Sequence, residues 1–251
     1  LRTVAVAMAL ACVVTAACAF VSSLNELAVM RFATGMFAGA IIPLSFAYVG
    51  DHVPIEDRQP VLGRFIVGIL LGQMLGPLIG GLFSDFVGWR ASFLVPAVAF
   101  ALTSMALVGP ALTDRRAPRP EATAGFLAAY RSLLGIPKVR AICAAVAVEG
   151  FLFYGAFAFM GAYLRTTFDA TYTVIGIVLA AFGLGGAAYS ASVRMLVSRL
   201  GIKRMVTAAG ALLGLALASI SLMPTLLHVA ALIAVIGFAF LALHNTLQTR
   251  A

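Results

Sequence analysis

An all-α, polytopic membrane protein is the fold class this sequence predicts, and three observations predict it. The chain is 63% hydrophobic and 10% charged, and its mean hydropathy is +1.07, far outside the range of a soluble domain. Apolar runs at roughly 3–22, 27–50, 61–83, 91–112, 138–163, 173–195, 204–223 and 227–247 are each long enough, at about 1.5 Å per residue, to serve as membrane helices. Turn or charge signals separate them: Ser22-Ser23, Asp51 to Pro60, Ser84 to Arg90, Thr113 to Pro137, Arg165 to Thr171, Ser198 to Lys203, and Met223-Pro224. Finally, the basic residues alternate between sides. Of 17, 14 fall on one set of loops: Arg2; Arg58 and Arg64; Arg115, Arg116, Arg119, Arg131, Lys138 and Arg140; Arg194, Arg199, Lys203 and Arg204; and Arg250. Arg90 and Arg165 lie on the other side, and Arg31 lies within a span.

The positive-inside rule makes the 14 cytoplasmic. The net charge of +8 is therefore a statement about membrane orientation, and a nucleic-acid partner is not expected. Single cysteines at Pro118 and Thr167, in a background lacking Cys12, Cys18 and Cys143, should label from opposite sides of the membrane. Labelling of both from the periplasm would overturn this topology.

In the first span, Cys12 and Cys18 read as small packing residues, as does Cys143 later in the chain; none has metal-ligand spacing. The second span carries Arg31. An ionised group inside a span is costly, faces the protein interior and is a functional candidate by default; snorkelling outward or pairing with Glu26 are its structural alternatives. The third span holds glycines at 68, 72, 76 and 80, a four-residue repeat that forms a stripe down one helix face. Such a stripe lets another helix approach closely in lipid, where apolar burial gives no drive. Pro77 is expected to bend the helix within the stripe, and Gln73 is a polar candidate that can bond across helices.

The segment 113–137, rich in Arg and Pro, divides the chain into an N-terminal bundle (1–112), a cytoplasmic linker and a C-terminal bundle (138–251), four helices each. The fifth span contains Glu149, the one acid near the middle of a span. A lone carboxyl in low dielectric is a candidate for binding protons or substrate, or is a structural acid bonded within the bundle. Near it Phe151, Phe153, Tyr154, Phe157 and Phe159 can line a cavity for an amphipathic or cationic compound. The sixth span includes the run 180–192, the richest in small residues of this bundle. It is the natural partner of the glycine stripe, so leucine at Gly76 or Gly80 is expected to prop the two faces apart. A shift of 202 residues lays Leu1-Arg2-Thr3-Val4 on Lys203-Arg204-Met205-Val206 and Gly35 on Gly237, as in parallel-repeat transporters. Two further helices are expected before Leu1 and two after Ala251.

The spacing Gly63-x8-Gly72-x3-Gly76-Pro77-x2-Gly80-Gly81 resembles the antiporter motif in the fifth helix of the major facilitator superfamily. Arg31-x3-Gly35 resembles the core of that family's fourth-helix motif, whose arginine is linked to proton coupling. Ser198-Arg199-Leu200-Gly201-Ile202-Lys203-Arg204 is similar to the second copy of its D-R-x-G-R-[KR] loop, with Ser198 where the acid stands, and Gly50 to Arg58 resembles its link between helices four and five. The resemblance covers the chain as family helices three to ten of twelve, two pseudo-symmetric bundles, and is nearest the drug/proton antiporter and sugar-efflux branch. It implies a monomeric secondary transporter of the bacterial inner membrane that exports a small drug-like or sugar-like compound against proton entry by alternating access.

On that reading Arg31 and Glu149 carry coupling. Gln73, Phe153, Tyr154 and Phe157 line the substrate cavity, and Gly63, Gly72, Gly76, Pro77, Gly80 and Gly81 serve the conformational change. The partners are substrate, protons and the bilayer. No cofactor or metal is expected: G-x-x-x-x-G-K-[ST] and H-E-x-x-H are missing, and His52, His228 and His244 are scattered. Gly183-Leu-Gly185-Gly186 fits a loose dinucleotide pattern, but without a strand it reads as a packing surface. An importer or uniporter of the same family is the alternative. A membrane enzyme would need a clustered nucleophile or metal ligands.

Overall fold

The computed structural model describes residues 1–113 and 126–248, which form eight α-helices and one short 3-10 turn. The helices are α1 (Arg2–Ala17), α2 (Leu24–His52), α3 (Ile55–Phe86), α4 (Ala91–Thr113), α5 (Phe126–Gly135), α6 (Pro137–Phe168), α7 (Tyr172–Ser219) and α8 (Leu226–Gln248), with the 3-10 turn Ile220–Leu222 before α8. No strand occurs among the described residues. Six of the helices, α2, α3, α4, α6, α7 and α8, are long and apolar enough to cross a membrane. Arg115, Arg116, Arg119, Arg250 and the first half of the expected linker lie outside the described residues.

The chain divides into two compact units. One holds α1, α2, α4 and the two ends of α3; the other holds the middle of α3, Leu70–Leu78, together with α5 to α8.

In the first unit α1 packs against both α2 and α4. Its buried positions Val4, Ala5, Ala7, Ala11 and Thr15 keep helical spacing and are mostly small, which brings backbones close enough for polar bonds between helices. Ser104 Oγ donates to the Ala5 carbonyl and Arg2 Nε to the Ala111 carbonyl, each at 3.0 Å. The start of α2 is a reciprocal cap: Ser23 Oγ accepts from the Glu26 amide, and the Glu26 carboxylate accepts from the Ser22 amide at 2.8 Å. At the other end Arg58 donates to the carbonyls of Val53 and Gly50, satisfying acceptors that the last turn of a helix leaves open.

Three local expectations are revised. The loop 51–60 shrinks to two residues, because α2 runs to His52 and α3 starts at Ile55 with Glu56 and Asp57 in its first turn, where the helix dipole favours acids. The second half of the expected linker holds α5, whose stretch Phe126 to Leu134 lacks proline and is dominated by helix formers. The separator 198–203 collapses to one residue. Gly201, at φ 68° and ψ 161°, turns the chain inside α7 between the two expected spans, a conformation that glycine adopts without a Cβ clash.

The second unit is built on α7 and α8, which pack along one another more extensively than any other pair. A Cβ on Gly185 would fall on the Ala234 carbonyl, and one on Gly237 on the Phe182 carbonyl. The helices therefore touch backbone to backbone at both crossings. Around them Leu164, Phe182, Val229, Ile233, Ile236 and Phe240 are buried in one apolar core.

Candidate functional site

Two helices of the second unit carry the site. On α6 the buried residues are Glu149, Phe153, Met160 and Leu164, spaced by four, seven and four, so they share one face. On α8, Phe240 and His244 are likewise one turn apart. The order is acid then aromatic on α6 and aromatic then imidazole on α8, so oppositely directed helices bring like to like. The Phe153 and Phe240 rings stack with centroids 3.9 Å apart. One turn along, Glu149 Oε2 lies 3.1 Å from His244 Nδ1. The His244 ring also stacks on Phe240 at 5.3 Å with 14° between planes.

The Glu149 side chain is only 5% exposed, and its Oε1 is buried with no hydrogen-bond partner among the described residues. A buried carboxyl oxygen left without a donor costs about 1–3 kcal/mol, more if the group is charged. Such a cost makes the position a candidate for a functional group. The site thus pairs an acid and an imidazole inside an aromatic shell made by Phe153, Phe240, Tyr154, Phe157 and Phe182.

The other expected residues take different positions. Phe153, placed in the sequence reading on a cavity wall, is 3% exposed and stacked among Phe157, Phe182 and Phe240; it is core, because four aromatic rings from three helices satisfy one another there. Phe157 is half-buried against the same core and Tyr154 is exposed. A cavity of about 200 Å³ opens two to three turns further along α6, lined by Ala156, Phe159, Met160, Tyr163, Leu217 and Ile220 with Ser221, and by none of the four expected residues. Gln73 is half-buried, and its Oε1 has no hydrogen-bond partner among the described residues. Arg31 belongs to the first unit, where its side chain is exposed with the guanidinium 5.8 Å from the Phe93 centroid. Glu26, the alternative ion-pair partner, serves the α2 cap.

The glycine stripe also departs from expectation. A Cβ added at Gly63, Gly68, Gly72, Gly76 or Gly80 meets nothing within 4 Å, although Gly81 is buried. The close approach is made by the opposite set. On α7 a Cβ at Gly176 would strike the Pro77 carbonyl, one at Gly183 the Met74 side chain, and one at Gly186 lies 3.1 Å from Leu70. So α7 supplies the notches and the side-chain-bearing ridge of Leu70–Leu78 fills them. The sequence reading set His244 aside as one of three scattered histidines and did not connect it with Glu149. Its signal was the mirrored i,i+4 order Glu149/Phe153 and Phe240/His244, which becomes meaningful once the two helices are known to run oppositely.

The profile of the Major Facilitator Superfamily matches residues 1–251. An uncharacterized MFS-type transporter of Bacillus subtilis, YwfA, is 25% identical over 181 residues, 68% of this chain and 42% of that protein. Multidrug resistance protein 3 of B. subtilis is 30% identical over 36% of this chain and 17% of its own length. The multi-drug resistance efflux pump PmrA of Streptococcus pneumoniae is 35% identical over 31% and 19% respectively. The chain thus spans less than half of the length of these relatives. In fold it is similar to a bacterial homologue of the human lysosomal transporter Spinster, in an inward-facing and occupied conformation, with a TM-score of 0.67 at 17% identity over 99% of this chain and 59% of that one. With its multi-pass helices and this match along its whole length, the chain belongs to the Major Facilitator Superfamily, a family of membrane transporters and not of enzymes.

Proposed function

We propose that this chain serves a secondary transporter of the bacterial inner membrane that exports a small drug-like or sugar-like compound in exchange for protons. The observation that carries the reading is the buried Glu149, whose Oε1 has no hydrogen-bond partner among the described residues. It is the form of group that binds and releases a proton within a membrane. The antiporter-type spacing Gly63 to Gly81 and the relatives named as multidrug efflux proteins support export. Arg31 is the second coupling residue on this reading. Gln73, with its unsatisfied carbonyl oxygen, and the exposed Tyr154 are the substrate contacts. The protein works as a monomer by alternating access, its two bundles joined by the cytoplasmic segment 113–137.

The test uses everted membrane vesicles carrying the protein and loaded with a fluorescent pH reporter. Ethidium serves as the drug-like probe and lactose as the sugar-like one. Either probe should enter the vesicles in the transport direction only while the lumen is acidic, and should release lumenal protons as it does so. A protonophore should abolish accumulation. Downhill movement of both probes that is indifferent to the proton gradient would replace exchange with the uniporter alternative.

A further inference from the structure

We propose that α5, together with Arg131, Lys138 and Arg140, docks on the anionic lipid headgroups of the cytoplasmic leaflet and anchors the chain to the membrane surface just before α6. The proposal stands apart from proton exchange and does not rest on it.

The sequence builds α5 as a short two-sided helix. The stretch 126–134 contains neither proline nor a β-branched residue, so it is free to be helical. Apolar or aromatic residues fall at positions 126, 127, 130, 133 and 134, the spacing that puts them on one helix face. Positions 128 and 132 fall opposite, and Arg131 lies at the border between the two sides. With ten residues, α5 is about 15 Å long, half of the roughly 30 Å hydrocarbon core, and is too short to span it. Nor does it continue into α6. Ile136 is extended at φ −83° and ψ 116°, ahead of Pro137 at the first position of α6, the backbone that a residue before proline prefers. The chain therefore turns off the α6 axis at this point.

The structure leaves both the apolar face and the cations open. Leu133 and Leu134 are 52% and 45% exposed, and Ile136 is 48% exposed, so the described protein does not bury them. The main neighbour of α5 is α6. Arg131, Lys138 and Arg140 are exposed, and none of them pairs with a carboxylate among the described residues. From 122 to 148 the sequence contains no acid at all. Leucines on one side with cations at the border suit an anionic membrane interface, where the apolar face sinks below the headgroups and the basic side chains reach back to the phosphates. The leaflet is also at hand. α6 starts two residues after α5 ends and is long and apolar enough to cross a membrane, on the side that the charge bias makes cytoplasmic.

The test needs no substrate. Single cysteines replace Leu133 or Ala128 in the full chain lacking Cys12, Cys18 and Cys143, and each carries an environment-sensitive fluorophore. The protein is placed in nanodiscs of phosphatidylglycerol or of phosphatidylcholine, each with a trace of lipid bearing a nitroxide near its glycerol. In phosphatidylglycerol the label at 133 should be quenched by the lipid nitroxide, and the label at 128, on the opposite side, should stay open to aqueous iodide. An anionic leaflet favours each nearby Lys or Arg by a factor of about five. Lys138→Gln should thus lower the docked-to-free ratio about fivefold, and glutamine at 131, 138 and 140 together about a hundredfold. Phosphatidylcholine, or salt at about 1 M, where charges are screened within about 3 Å, should release α5 likewise. Equal lipid quenching at 133 and 128 would overturn the proposal. So would quenching at 133 that is indifferent to lipid charge and salt, which would leave apolar contact without anionic recognition. Shielding of position 133 from both quenchers would assign the face to a protein surface instead. Should the glutamine variants fail to insert, the lipid exchange and the salt series on the native cations decide alone.

Discussion

Alanine at Gly185 or at Gly237 should destabilise the second unit by about 1–3 kcal/mol or more, whereas alanine at Gly72, Gly76 or Gly80 should leave the protein as stable as before or slightly more so. The difference lies in what a new Cβ meets. At Gly185 and Gly237 it meets the carbonyls of Ala234 and Phe182, main-chain atoms that cannot rotate away. The α7 and α8 backbones must then separate along the longest packing seam of the unit. At the three stripe positions a Cβ meets nothing within 4 Å, so the substitution mainly removes the helix penalty of glycine, about 1 kcal/mol. Gly183 should fall between, because its neighbour is the flexible Met74 side chain. Unfolding of the purified protein in mixed SDS micelles measures the series. Equal losses at Gly185 and Gly80 would show that the stripe is as close a contact as the α7–α8 seam.

That ordering is the reverse of what spacing alone implied, and the reason is physical. A four-residue glycine repeat states that one face of α3 is smooth; it does not state which helix, if any, lies on it. The sequence reading paired two smooth faces. The structure instead seats the ridge of Leu70, Met74 and Pro77 in the smooth face of α7, the usual ridge-into-groove solution. Long apolar runs were legible, since length and hydropathy are local properties. Their ends were less so: Gly201 joins two spans inside α7, and Ile55 starts α3 six residues before its apolar run, because a charged first turn suits a helix N-terminus as well as a loop. Arg31 was legible as an ionised residue within a span, but its exposure was not. Glu149 stood out because an isolated acid in an apolar run needs no partner to be noticed. His244, 95 residues away, acquires its meaning from tertiary packing that no local pattern contains.

Glutamine at position 149 should abolish proton-coupled export while leaving folding nearly untouched. The substitution keeps an oxygen that can accept from His244 Nδ1–H, in the place where Oε2 now lies 3.1 Å away. It also preserves the volume packed one turn from the Phe153–Phe240 stack. The stability change should therefore stay within about 1 kcal/mol, the net worth of one hydrogen bond. An amide takes up no proton near neutral pH, so ethidium added to everted vesicles should release no lumenal protons, and accumulation should fall to the level seen with a protonophore. Leucine at the same position provides the contrast. It removes the acceptor and leaves the Nδ1–H of a buried-side imidazole without that bond, a loss of about 1–3 kcal/mol, so its defect should appear in folding as well as in transport. Measured side by side, loss of proton release in the glutamine variant with a wild-type unfolding midpoint identifies a coupling acid. Proton release at the wild-type rate in that variant would reduce Glu149 to a structural tie between α6 and α8.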